Sequence, residues 1–432
     1  MKVLFWHRRD LRIHDNAGLY KALKLGRQVQ PVFIFDTTIL NLLPRNDQRV
    51  RFIHDAIKRL HEAYKQHGAA LEVYIGNPKK ILPQLVANGS YQALVTNRDY
   101  EPYAKERDQY IAEKLKALNC DFVGAKDHVI FEKLEVVKDD GKPYTVFTPY
   151  MRKWKAKLND FYLSSYPVDR YAQYLAPATE EKPIPSLEDL GFTDEELHIF
   201  PPETANDELL RRYADTRNFP AINGTSKLSV HLRFGTISIR ELARQAIRTN
   251  ETYLNELIWR DFYQMILYVF PDSAQKAIKP AYDRIEWEKN EEHFVAWCAG
   301  KTGYPLVDAG MRELNATGHM HNRVRMVVAS FLTKHLLLDW RLGERYFAEK
   351  LLDFELASNV GGWQWASGSG CDAAPYFRIF NPESQLQKFD PELKYVRRWI
   401  PEYGTNSYPK PIIDHQFARN RCLERYKKGL AE

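Results

Sequence analysis

Three short stretches bring together residue types that neither a plain core nor a plain solvated face requires. In Glu256-Leu-Ile-Trp259-Arg260-Asp-Phe-Tyr263, the residues Glu256, Trp259, Arg260 and Tyr263 stand at i, i+3, i+4 and i+7, the spacing of one helix face. Leu257, Ile258, Phe262 and Ile266 take the other sides. A carboxylate, an indole, a guanidinium and a phenol on one face suit the wall of a cavity for a flat polar ligand. The alternative is an Arg–Glu pair on a partly exposed helix. In Thr317-Gly-His-Met-His321-Asn322-Arg323-Val-Arg325-Met326, Asn322 and Met326 are i, i+4 neighbours flanked by Arg323 and Arg325. A thioether beside an amide offers a soft surface to a flat ring, and Met as core filler is the alternative. In Asn359-Val-Gly361-Gly362-Trp363-Gln-Trp365, glycines permit close backbone approach and the indoles offer stacking faces. A glycine-rich turn followed by core tryptophans reads equally well.

Other signatures fail on context. Gly300-Lys301-Thr302 resembles the end of a P-loop, but Val295 stands where the first glycine belongs and no strand precedes it. Gly368–Ala373 matches G-x-G-x-x-A but lies in a helical region. There is no H-E-x-x-H, and His319 and His321 would diverge on a helix, so no metal site is expected.

The elements that must position these residues fall into two kinds. Short apolar runs at Val3–Trp6, Val29–Phe35, Leu71–Ile75, Ala93–Thr96 and Asp121–Val123 predict buried strands. They alternate with helical patterns such as Asp47–His67, with Asn46 or Asp47 at its start and Gly68 at its end. Alternation of this kind implies a Rossmann-like parallel sheet, with ligands at the carboxyl ends of its strands. The stretch Tyr166–Pro202 holds six prolines and an acidic run at Asp194–Glu196, the marks of a surface connector, with some helix near Tyr150–Tyr162. Beyond Pro202 the pattern is helical almost to the end. The expected organisation is an α/β domain over 1–130, a linker over 131–204 and an all-helical domain over 205–432.

Composition bounds the class. The 432 residues are 44% hydrophobic and 27% charged, which excludes wholesale disorder. Cys120, Cys298, Cys371 and Cys422 form no C-x-x-C, which fits a reducing compartment. Residues 1–10, MKVLFWHRRD, turn charged after four apolar residues and do not read as a secretory signal. A cytoplasmic monomer is expected. Lys and Arg total 62 against 56 Asp and Glu, a balance of +6 that tolerates a polyanionic partner without demanding one. Seven of the nine tryptophans lie between Trp259 and Trp399, a skew that suits a planar ligand.

Taken with Gly224-Thr225-Ser226-Lys227-Leu228-Ser229, these stretches resemble the DNA photolyase/cryptochrome family. The likeness runs from Trp6-His-Arg-Arg-Asp-Leu-Arg-Ile-His-Asp15-Asn16 through Thr302-Gly-Tyr-Pro-Leu-Val-Asp308 to Phe377-Arg378-Ile-Phe-Asn-Pro382 and Lys388-Phe-Asp390. Within the family the chain is most like the cyclobutane pyrimidine dimer photolyases of the class I type. The resemblance implies FAD in the helical domain. Tyr213 and Thr225, Ser226, Lys227, Leu228 and Ser229 would hold its phosphates, with Arg260, Asp353, Phe354 and Glu355 among its contacts. Asn359 would face flavin N5. Trp363, Trp340 and Trp287 would carry electrons from the surface. Glu256, Trp259, Asn322, Met326 and Trp365 would meet a flipped-out dimer, and Arg217, Arg323 and Arg378 the DNA phosphates. The implied activity is light-driven repair of the dimer by electron transfer from excited reduced FAD. The alternative is a blue-light receptor that binds FAD without repair.

The chain also departs from the family pattern. His319 stands where many relatives carry Trp and Tyr253 where some do, Glu355 replaces a frequent Asp, and Val360 a frequent Asn. Asn97-Arg-Asp99-Tyr-Glu101-Pro-Tyr103 resembles segments that contact a light-harvesting antenna. A folate is the antenna favoured, with a deazaflavin or a second flavin as alternatives.

Overall fold

The computed structural model describes residues 1–178, 182–194 and 200–431. Glu195 and Glu196 of the acidic run lie outside the described residues. The chain forms two compact units, the first built from 1–132, 157–205 and 227–248, the second from 133–156, 206–226 and 249–432.

The first unit is organised by strands β1 (Lys2–His7), β2 (Gln28–Asp36), β3 (Glu72–Gly76), β4 (Ala93–Asn97) and β5 (Asp121–Ala125). All pair in parallel in the order β3-β2-β1-β4-β5. These are the five apolar runs, four of them extended by a residue or two and the third shifted by one from Leu71–Ile75. β1 buries every residue from Val3 to His7, as a central strand covered on both faces must. The helix Gln48–Gln66 begins where Asp47 accepts the Arg49 N–H, and Gly68, at φ 71°, turns the chain beyond its end. The strand order reverses between β1 and β4, where such sheets usually hold ligands. Here that crevice is filled from within. Asn97 Nδ2 donates to Asp10 Oδ2 at 2.6 Å and Asn16 Oδ1 at 2.8 Å, and His7 Nε2 lies 2.8 Å from the Tyr64 hydroxyl.

The units do not follow the expected cuts near 130 and 204. Buried charge explains one crossing. Asp15 and Asp127 are fully buried, and Arg240 bonds both, at 3.0 and 2.9 Å, while Arg12 bonds Asp127 at 2.8 Å. Uncompensated, those carboxylates would cost several kcal/mol, so 227–248 is bound to the first unit. Local periodicity carries no trace of pairs 113 and 225 residues apart.

The second unit is helical, as its pattern predicts. Its main core gathers Trp297, Trp340, Trp363, Phe331, Phe347 and Tyr395, with Trp287, Trp365 and Trp399 packed against it. Asn359–Trp365 is no turn: it lies inside the helix Leu356–Ser367. His319 and His321 precede the helix Asn322–Ser330, where His321 accepts the Arg323 N–H at 3.2 Å.

Two stability predictions follow from these buried groups. Arg240→Met leaves Asp15 and Asp127 short of a partner and should cost about 3–5 kcal/mol in urea unfolding; a loss under 1 kcal/mol would refute the role given to the network. Burial holds the imidazole of His335 down to about 3 and that of His321 down to about 4. Between those values and the unfolded value near 6.5 the unfolded chain binds more protons, so stability should fall as pH drops, by at most about 1.4 kcal/mol per pH unit for each group. His335→Gln should flatten the decline between pH 7 and 5, and an unchanged slope would count against it.

Candidate active site

The site is built on three helices of the second unit. Glu251–Val269 and Asn322–Ser330 both pack on Leu356–Ser367. A side chain at Gly361 would collide with the Tyr263 ring, so the first contact requires glycine there. Gly362, the next residue, faces the other way: a methyl group placed on it meets nothing within 4 Å. That open face lies one turn from Asn359 on the same side of the helix.

The Glu251–Val269 helix starts at Asn250, whose side chain accepts the Thr252 and Tyr253 N–H groups. Glu256 lies 2.5 Å from Arg217 Nη1. Burial pushes its carboxyl above the usual range, and the Arg217 guanidinium works against that rise. Arg260 is buried and donates to Glu355 Oε1 at 3.0 Å. Trp259 stays half-buried, with the Tyr263 ring 5.4 Å away. The four residues of the expected face therefore serve different partners: Glu256 an arginine, Arg260 a carboxylate, and Trp259 and Tyr263 other aromatic rings.

On Asn322–Ser330, Asn322 is exposed and Met326 half-buried. Arg323 donates to Asn218 Oδ1 at 2.8 Å and lies 4.4 Å from the Phe389 ring centre. Burial, then repulsion by Arg217, pull its guanidinium below the usual value. Two guanidiniums close enough to repel attract an anion. Arg325 pairs with Asp353 at 3.0 Å. Arg378 is exposed.

On Leu356–Ser367, Asn359 Nδ2 donates to Glu344 O at 3.0 Å and Glu344 Oε1 at 2.9 Å. This fixes the amide and turns Oδ1 away from Glu344. Burial raises the Glu344 carboxyl, the Asn359 bond opposing. Sequence reasoning missed Glu344, because nothing in the spacing of the Trp340–Lys350 helix marks it. Trp363 is buried, with Phe347 at 5.0 Å and Trp297 at 6.1 Å between ring centres. Trp340 shares that core, and Trp287, half-buried, packs on it and lies 6.0 Å from Tyr426. Trp365 is half-buried and Phe354 packs against the same core.

In the expected phosphate grip, Tyr213 meets Tyr253 edge to face at 5.0 Å, and the Tyr253 hydroxyl lies 2.9 Å from Ser226 Oγ. Thr225 is half-buried. In the first unit, Lys227 is exposed with φ 54°, Leu228 is buried, and Ser229 opens the helix Ser229–Phe234.

Among known proteins, the family described as DNA photolyase matches residues 3–170, and the FAD binding domain of DNA photolyase matches 253–406. The deoxyribodipyrimidine photo-lyase of Synechococcus sp. is 37% identical over 475 aligned positions, covering 100% of this chain and 98% of that protein. The chain belongs to the DNA photolyase family. Among solved structures, a class III photolyase from Agrobacterium tumefaciens is similar at 32% identity and TM-score 0.87, covering 100% of this chain and 98% of that one. An archaeal photolyase from Sulfolobus tokodaii, solved with two FAD molecules, has 32% identity and TM-score 0.83, with 99% of this chain and 100% of that one covered.

The residues present fit the flavin that the photolyase family's FAD-binding domain holds. The open face at Gly362 gives room for a flat ring, and among the described residues no protein donor reaches Asn359 Oδ1. The antenna segment differs. Arg98 pairs with Glu132 at 2.6 Å, Asp99 and Glu101 each with Arg9 at 3.1 Å, and Tyr103 donates to Asp36 at 2.6 Å. A ligand there must rest on apolar surface or displace those partners.

The two glycines make opposite predictions. Gly361→Ala should lower stability by about 1–3 kcal/mol through overpacking. Gly362→Ala should leave FAD-free stability unchanged or raise it by up to about 1 kcal/mol, while flavin absorbance of the purified protein falls. Equal flavin content in Gly362→Ala and the parent would refute this placement of the cavity.

Proposed function

We propose that this photolyase-family chain repairs cyclobutane pyrimidine dimers in DNA by light-driven electron transfer. What carries the reading is Glu256, one helical turn from the half-buried Trp259 and paired with Arg217, whose guanidinium in turn lies close enough to Arg323 to repel it. The reading has the chain act alone, as a cytoplasmic monomer. Among the described residues no helix is long and apolar enough to cross a membrane.

Arg217, Arg323 and Arg378 engage phosphates around the lesion, which makes binding salt-dependent. Photolyases are among the enzymes that extrude their target nucleotides. A dimer stacks and pairs poorly, so its extrusion costs less than that of intact bases. Trp259 and Trp365 pack against its rings, and Met326 adapts to them. Glu256 and Asn322 hydrogen-bond the base edges. Tyr213, Thr225, Ser226, Lys227, Leu228 and Ser229 hold the cofactor's phosphates, Arg260, Asp353, Phe354 and Glu355 flank it, and Asn359 Oδ1, aimed by Glu344, faces its ring. Reduced FAD, when bound, supplies the light-driven electron. Trp363, Trp340 and Trp287 would carry electrons to it from an external reductant at the surface. A second, light-harvesting chromophore, a folate in preference to a deazaflavin or flavin, belongs to the proposal on the likeness of Asn97–Tyr103 alone, and no step depends on it.

The test is light-dependent loss of a thymine dimer from duplex DNA by the purified protein with reduced FAD. Glu256→Ala and Asn359→Asp should each lower the yield several-fold or more while FAD stays bound. Intact yields in both variants would refute these roles. No repair by the parent, with FAD bound and photoreducible, would favour the receptor reading.

A further inference from the structure

The segment 133–156, expected to be linker, belongs to the compact unit that holds the site. It is fastened at both ends of the helix Phe147–Lys157. At the start, the Asp372 N–H donates to Thr145 O at 2.9 Å, and the Asp372 carboxylate accepts a backbone bond from Phe147. Further along, Trp154 Nε1 donates to Asp261 Oδ2 at 2.9 Å, and the Tyr150 ring lies 5.2 Å from Phe262. Asp261 and Phe262 adjoin Trp259 in sequence.

Between these fastenings the Phe147 ring lies flat on the Trp259 indole, with ring centres 3.7 Å apart and planes 5° apart. Phe147 is buried and cannot itself offer a face to solvent, whereas Trp259 stays half-buried. The stack therefore covers one face of the indole. Phe262 meets it edge-on at 5.6 Å and Tyr263 tilts beside it at 5.4 Å. A side chain packed only for burial has no need of a parallel partner; aromatic pairs commonly meet offset or edge to face. A flat backstop removes the rotational freedom that a recognition surface would otherwise lose on binding.

We propose that Phe147 is a positioning residue for lesion recognition, holding Trp259 in the plane against which a flipped pyrimidine dimer packs. This rests on the dimer-repair reading above. It assigns to the expected linker a part in discriminating damaged from intact DNA.

The experiment uses the full-length FAD-loaded protein and measures Kd, at one salt concentration, for a duplex with one thymine dimer and for the same duplex without it. Phe147→Leu, apolar but not flat, should weaken dimer binding about 3- to 10-fold, the range of an aromatic pair, with undamaged-DNA affinity and flavin content unchanged. Phe147→Tyr, which keeps the flat ring, should restore selectivity. Adding Phe147→Leu to Trp259→Ala should weaken dimer binding no further. Full selectivity in Phe147→Leu, an equal loss for both duplexes, or an additive double variant would overturn the proposal. Should Phe147→Leu fail to hold FAD, Phe147→Met decides by the same comparison. A parent protein that binds both duplexes alike, or a Trp259→Ala variant with full selectivity, would instead overturn the reading beneath it.

Discussion

The chemistry of this chain hangs on one close approach. The helices Glu251–Val269 and Leu356–Ser367 meet where the Tyr263 ring occupies the space a side chain at Gly361 would need. Pressed together, they commit Tyr263 and Trp363 to packing and leave Gly362 facing open space. A wider separation would let side chains fill the gap and would carry Glu256 and Trp259 away from Asn359. One missing methyl group at Gly361 thus decides how closely the two helices can pack.

Charge around that contact is arranged in pairs that fix orientation. Glu355 holds Arg260, Arg217 holds Glu256, Asp353 holds Arg325, and Glu344 holds the Asn359 amide. Each pair joins different helices or a helix and a loop, so each also locks a separation. Polar groups fixed in this way need little reorganisation when a ligand arrives, the condition under which electrostatic catalysis is effective.

Much of this was legible in the sequence, for local reasons. The central strands, covered on both faces, must be continuous apolar runs, and the two half-exposed edge strands stood out beside them. The ordered motifs pointed to the family, which the matches over residues 3–170 and 253–406 bear out. What escaped depends on contacts distant in sequence. Glu344, Phe147 and the Arg240 network are ordinary residues in ordinary patterns until folding brings Asn359, Trp259 and Asp127 beside them. Asn359–Trp365 read equally well as a turn because glycine weakens a helix locally, and only packing against Tyr263 accounts for its place in one.

The exchange of segments between the units bears on how a ribosome delivers this protein. When residue 132 emerges, the whole parallel sheet is present, yet Arg12 is the one guanidinium then paired with Asp127, and Asp15 still lacks the guanidinium of Arg240. Their second guanidinium, Arg240, follows more than a hundred residues later. At synthesis rates of about 5–20 residues per second, the nascent sheet waits for seconds to tens of seconds. During that interval its apolar strands are assembled around a negative charge that favours an open, solvated form. The late arginine thus acts as a clasp, supplied to the first unit by the last of its own segments.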